Sequence, residues 1–132
     1  MMEKINEYPT VCNLCGGKVI YTSNTLVYGN KKKYGSGYMY YCENCHAYVG
    51  THRPYPKKAL GILANEQMRV LKMQCHSLFD RRWRTQKQRC EQYSWLAGKM
   101  GIPVSCCHFG WFDIPHLIQA YNILAENTKI TL

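Results

Sequence analysis

Hydrophobic and polar positions follow two different periods along this 132-residue chain. Residues 10–50 read as β structure. The runs Lys18-Val19-Ile20-Tyr21-Thr22 and Thr25-Leu26-Val27-Tyr28 are rich in β-branched and aromatic residues, with Ser23-Asn24 as a turn between them. Tyr38-Met39-Tyr40-Tyr41-Cys42 reads as a third strand, reached through a glycine-bounded loop, residues 29–37, that carries Lys31, Lys32 and Lys33. Residues 51–63 hold Pro54, Pro56 and Gly61 and read as an irregular connector. Beyond it the period becomes helical. Asn65 is an N-cap with Glu66 in the first turn, and Met68, Leu71, Cys75 and Leu78 form a core-facing stripe to about residue 79. A second helix covers roughly residues 86–100, with Cys90, Tyr93, Ala97 and Met100 on one side, and Gly101 then Pro103 stop it. A third begins near Asp113 as N-cap, followed by Pro115, and carries Leu117, Ile118, Tyr121, Leu124 and Ala125.

The cysteines change this picture most. Cys12-Asn13-Leu14-Cys15 and Cys42-Glu43-Asn44-Cys45 are two CxxC pairs separated by 26 residues. A CxxC turn aims two sulfurs the same way, and two such turns complete a tetrahedral S4 shell, the preferred environment of structural Zn²⁺. Gly16-Gly17 after the first pair lets the chain turn sharply and bring backbone N–H groups near the sulfurs. The gap exceeds the usual ribbon spacing, which predicts an extended hairpin between the knuckles. The expected fold class is α+β, with N-terminal zinc-ribbon-like β-hairpins packed against about three α-helices. The ribbon with its extended basic hairpin takes residues 1–55 and the helical part residues 56–132, as one compact unit. Nine of the eleven tyrosines fall within the first 55 residues, enough to cover one face of a sheet with little core of its own. Cys75, Cys90, Cys106 and Cys107 read as small buried apolar groups.

Eight cysteines behind a polar, leader-free N-terminus suit a reducing compartment, so the expected location is cytoplasmic. No apolar run approaches the ~18 residues that span a bilayer. The formal charge is +9; four thiolates and one divalent ion together subtract two, leaving +7. Such a balance favours nucleic acid or another polyanion as partner. Basic residues cluster twice, at Lys31, Lys32 and Lys33 among tyrosines, and in Arg81-Arg82-Trp83-Arg84-Thr85-Gln86-Lys87-Gln88-Arg89. Cations neutralise phosphates while a ring stacks on an exposed base, so Lys31, Lys32, Lys33, Arg81, Arg82 and Arg84 are candidate nucleic-acid contacts. A solvated turn between helices has the same composition.

A polar stripe on the first long helix is the remaining candidate for chemistry. Arg69, Lys72, His76, Asp80 and Trp83 are spaced by 3, 4, 4 and 3 residues and share a face. The connector at residues 51–63 is expected to fold the helices against the ribbon and bring His52 within a side-chain contact of His76 or His108; such a cluster, with Asp80 or Asp113 as orienting carboxylate, would suit a second metal or acid–base chemistry. Left apart, these histidines would simply bond backbone carbonyls. The leading function is a binding protein for nucleic acid or a nucleic-acid-handling complex, without catalysis of its own. The rival is a hydrolase of phosphodiesters using the histidine face, for which only eight acids supply few Mg²⁺ ligands.

The chain also resembles a zinc-finger-containing domain family of unknown function found in bacteria and their phages. The likeness rests on Cys12 and Cys15; residues 40–52 from Tyr40 to His52; Leu60-Gly61-Ile62-Leu63-Ala64-Asn65 with Arg69; His76-Ser77-Leu78-Phe79-Asp80 with Trp83; Arg89 with Tyr93-Ser94-Trp95-Leu96-Ala97; and Cys107-His108-Phe109-Gly110-Trp111-Phe112-Asp113. The resemblance implies a ribbon and helices as one unit and a bacterial or phage origin, and supplies no activity. In a phage the alternative partner is a host defence protein that this chain would inhibit. The family pattern has proline in the first knuckle and before the leucine-glycine pair, where this chain has Asn13 and Ala59.

Overall fold

A computed structural model describes residues 6–29 and 35–128. Lys31, Lys32 and Lys33 lie outside the described residues. The architecture is α+β. The chain divides into two compact units, Lys4–Glu66 and Gln67–Leu132.

The first unit is built on a three-stranded antiparallel sheet, β1 (Val19–Ser23), β2 (Tyr38–Cys42) and β3 (Tyr48–Gly50), in that order. The register runs from Val19 opposite Cys42 to Ser23 opposite Tyr38, then from Met39 opposite Gly50 to Tyr41 opposite Tyr48. The expected extended hairpin between the two CxxC pairs is thus β1–β2. Strand alternation places Val19, Tyr21, Tyr40, Cys42 and Val49 on one face. The Tyr21 and Tyr40 hydroxyls donate to the Pro56 and Lys57 carbonyls at 2.7 and 2.6 Å, so the connector lies across that face. Bridges pair Thr51 with Ala59 and Tyr48 with Ala64, and the Ala59 amide donates to the Glu7 carbonyl at 2.9 Å. The proline-rich connector is therefore tied to the sheet through backbone bonds, and the first unit reaches Glu66.

Thr25–Tyr28, expected as a strand, forms instead a single helical turn, α1. The Ser23 hydroxyl accepts from the Thr25 amide at 3.3 Å, the Tyr28 amide reaches back to the Asn24 carbonyl, and Gly29 closes the turn with φ 77°. Such local bonds outcompete a ladder when β1 and β3 already occupy both edges of β2. Leu26 and Val27 remain exposed as a result.

The second unit holds α2 (Glu66–Asp80), α3 (Gln86–Met100) and α4 (Ile114–Glu126), with 3₁₀ turns at Val104–Cys106 and Phe109–Trp111. Thr85 caps α3 in a reciprocal capping box with Gln88, which fixes its start. Gly101 ends it in the left-handed region at φ 73°, with Ile102 donating to the Ala97 carbonyl. The Asp113 carboxylate accepts from the His116 amide at 3.0 Å and caps α4, as its position before Pro115 predicts. The buried set is Met68, Cys75, Phe79, Leu96, Ala97, Met100, Cys107, Phe109, Phe112, Leu117, Ala120 and Leu124. On α2 the buried stripe runs through Phe79 rather than Leu78, which is half-buried along with Leu71. Cys90, expected inside, is exposed, as are Ile118 and Ala125. The large rings Phe79, Phe109 and Phe112 define the interior, and the helix phases follow them.

Candidate metal centre and the helical face

The two CxxC pairs fold into near-identical knuckles. In the first, Cys12 donates to the Gly17 carbonyl at 2.9 Å and Gly16 to the Cys12 carbonyl at 3.0 Å. In the second, Cys42 donates to the Ala47 carbonyl at 2.8 Å and His46 to the Cys42 carbonyl at 3.0 Å. The fourth position after the first cysteine must enter the left-handed region: Gly16 does so at φ 76°, and His46 at φ 67°. A side chain there is costly, and the His46 ring is held by the Tyr41 hydroxyl at 2.6 Å from Nδ1.

The knuckles bring the sulfurs of Cys12, Cys15, Cys42 and Cys45 within 4.8 Å of one another. The Cys12–Cys45 and Cys15–Cys42 separations are 3.7 and 3.4 Å. Sulfurs at ~2.3 Å from a tetrahedral zinc ion stand about 3.8 Å apart along each edge. The cluster therefore has the dimensions of one Zn²⁺ site. Amide donors surround it: Leu14 to Cys12 at 3.3 Å, Gly17 to Cys15 at 3.3 Å, and Cys45 to Cys42 at 3.4 Å. Asn44 Nδ2 adds a side-chain donor to Cys15 at 3.4 Å. These bonds, Asn44 foremost, hold the Cys15 thiol down at about 6. The amide of Ala47 favours the Cys45 thiolate too, but desolvation and the neighbouring sulfurs override it and push Cys45 up to about 12. Four negative sulfurs repel one another at this range, and a divalent cation is what lets all of them stay ionised. Gly17 leaves no room for a side chain, since a Cβ there would stand 2.8 Å from Asn44 Cβ and 3.1 Å from two ligand sulfurs.

Asn13 fastens this centre to the end of the connector. Its Nδ2 donates to the Leu63 carbonyl at 3.0 Å and its Oδ1 accepts from the Leu63 amide at 2.9 Å. Proline could make neither bond, and proline at Ala59 would lose the amide bond to Glu7. The two positions where the resemblance implies proline thus supply three hydrogen bonds, two from Asn13 and one from Ala59.

In the helical unit the polar stripe is real but differently employed. The Trp83 indole N–H donates to Asp80 at 3.1 Å. Arg89 lies over the Trp83 ring at 5.6 Å and the Tyr93 ring at 5.1 Å, and bonds the Tyr93 hydroxyl at 3.5 Å. His76 meets Phe109 edge-on at 4.8 Å, and His108 lies 5.9 Å from Tyr93. Desolvation lowers the His76 pKa, Asp80 works against it, and the charges of Arg89 and Lys72 reinforce it. Among the described residues the four cysteines are the group whose ligand atoms converge on a metal; His76, Asp80 and His108 do not approach to that range. His52 belongs to the other unit, half-buried in the connector, where its amide donates to the Lys58 carbonyl. Sequence reading missed Asn44, the Asn13 clamp and the role of Tyr93, although Tyr93 stands four residues after Arg89 on one helix face.

Arg82, one of the candidate nucleic-acid contacts, is a structural tie. Its Nε donates to Gln92 at 2.7 Å, a terminal nitrogen donates to the Asn127 carbonyl at 3.0 Å, and its guanidinium lies 4.0 Å from the Trp95 ring centre. It closes the last turn of α4 in the manner of a basic C-terminal cap. Arg81 and Arg84 are exposed.

Lys72, half-buried on α2, carries a pH signature. Desolvation, aided by the charge of Arg69, lowers it from 10.5 to about 8. A lowered lysine pKa means that between those values the unfolded chain binds a proton the folded chain has shed, so stability rises with pH across that window. Lys72→Met is expected to be more stable than the unaltered chain near neutral pH, by about 1–3 kcal/mol, and that margin should shrink as pH climbs from about 8 to about 10. Denaturant melts of both proteins at each pH check this.

A tetrathiolate knuckle pair on a short antiparallel sheet defines a zinc-finger protein of ribbon type. The chain belongs to the family DUF3268, described as a zinc-finger-containing domain, which it matches over residues 8–127. Neither a curated protein nor a solved structure matched the chain. Among the described residues no helix is long and apolar enough to cross a membrane.

Proposed function

We propose that the protein is a zinc-stabilised binding module whose target is nucleic acid or a complex that handles it, acting in a reducing cytoplasm. The observation that carries this reading is the corner between α2 and α3. There Arg81, Arg84 and Lys87 are exposed and form no ion pair among the described residues, around a half-buried Trp83. Uncompensated cations beside a ring match a sugar-phosphate backbone with an exposed base. On the ribbon, Tyr21 and Tyr38 stack at 5.4 Å with an 11° interplanar angle, both partly exposed, which offers a second stacking surface. The remaining charge of +7 supports the same class of partner.

Fluorescence polarisation with single- and double-stranded oligonucleotides tests it. Affinity is expected to fall steeply with salt, and Arg81→Glu with Arg84→Glu should weaken binding more than about tenfold and flatten the salt slope by about two. Adding Lys31→Glu, Lys32→Glu and Lys33→Glu should abolish it. Arg82→Ala should instead lower stability, because that side chain is already committed. No binding at low salt rejects the reading and turns attention to a protein target, sought by pull-down from host lysate.

A further inference from the structure

We propose that Arg89, His76 and His108 form a phosphate-binding site on the helical unit, with Tyr93 and Phe109 as its floor. This deepens the nucleic-acid reading and rests on it only for the identity of the larger ligand.

The rings supply the geometry. Tyr93 and Phe109 touch at 6.2 Å and are backed by Phe79, which lies 4.3 Å from Tyr93 and 5.5 Å from Phe109. Phe79 and Phe109 are buried and Tyr93 is half-buried, so this floor is anchored in the interior of the helical unit. His76 stands on Phe109, while His108 and the Arg89 guanidinium both stand on Tyr93. Three nitrogen-bearing groups from α2, α3 and the segment before the 109–111 turn are thus held on two adjoining rings, with the imidazoles exposed.

Charge supplies the class of ligand. Arg89 is fixed between Trp83 and Tyr93 and has no carboxylate partner among the described residues. Its planar fork suits two oxygens of a tetrahedral oxyanion, and the imidazole N–H groups of His76 and His108 suit the rest. Asp80, the carboxylate on the same face, is engaged by the Trp83 indole, and Lys72 adds positive field one turn before His76. Tyr93 and Cys107, the other titratable groups at this floor, are neutral near pH 7, since burial raises both. The remaining histidines outside the connector are already occupied, His46 by Tyr41 and His116 by Asp113.

The test follows the imidazole ¹H–¹⁵N signals of the zinc-loaded full chain during titration with inorganic phosphate. His76 and His108 are expected to move together on one saturable curve, while His46 and His116 stay in place. Arg89→Ala should weaken the phosphate response at least about tenfold, and Arg89→Lys should recover part of it. If Arg89→Ala disturbs the fold, His108→Ala, altered at an exposed position, should give the same loss. Two further arms identify the source: a dinucleotide with a 5′-phosphate and one without. Response to the first alone assigns a terminal monoester; response to both assigns a backbone diester. Equal shifts at all histidines, the same shifts with chloride at matched ionic strength, or an unchanged Arg89→Ala response would overturn the site. A saturable phosphate response in a chain that binds no oligonucleotide would leave the site standing and remove the nucleic-acid reading instead.

Discussion

Cys42→Ser is expected to purify with well under one zinc per chain and with its ribbon unfolded, whereas the unaltered chain carries one. Cys42 is the most consequential of the four ligands because it is fully buried and also ends β2, opposite Val19. Its sulfur faces that of Cys15 at 3.4 Å and accepts the amide of Cys45. A hydroxyl at that point supplies no thiolate and opens the shell to water. Structural zinc contributes about 10–16 kcal/mol of apparent binding free energy in zinc-finger peptides, which is folding free energy when the site exists only in the folded chain. The first unit buries few large side chains, mainly Met39, Tyr40 and Leu63, so it has little else to hold it. Elemental analysis and circular dichroism check the outcome, and EDTA should reproduce it in the unaltered protein. A Cys42→Ser chain that keeps one zinc and full stability would reject the assignment.

Phe109→Ala should remove about 3–5 kcal/mol from the helical unit, the range for emptying a buried aromatic position. Phe109 is 1% exposed and touches Phe79, Phe112, Tyr93 and His76. Its loss opens a cavity under the imidazole of His76 and beside Tyr93, too central for neighbouring rings to refill by rotation. Zinc content is expected to remain near one, since the residue stands in the second unit. Denaturant unfolding followed by helical circular dichroism, with zinc measured in parallel, checks both halves. A change below about 1 kcal/mol would mean that the interior is not organised on this ring.

The metal centre was legible because CxxC spacing is a geometric statement: it dictates where sulfurs point before any tertiary structure is known. Helix ends were legible for a similar reason, Gly101 and Asp113 being local conformational and hydrogen-bonding devices. Thr25–Tyr28 misled because β-propensity describes a pleated, half-buried surface, and among the described residues no strand pairs with this segment. Arg82 and Arg81 are indistinguishable by composition, yet one is drawn in by Trp95, Gln92 and Asn127, partners 10 to 45 residues away. The choice of Phe79 over Leu78 as the inward residue was likewise set by Phe109 and Tyr93, which lie beyond the reach of any local period.

The Asn13 clamp gives the metal a reach longer than its coordination shell. Asn13 sits inside the first CxxC turn, whose shape depends on Cys12 and Cys15 sharing an ion, and it grips Leu63 fifty residues along the chain. Loading the ion therefore braces a segment that contributes no ligand, beside the bonds that Tyr48 and Ala64 already exchange there. In this chain the metal site therefore also shapes the end of the connector, so that thiol oxidation or metal scarcity is expected to loosen the backbone around Leu63 together with the ribbon.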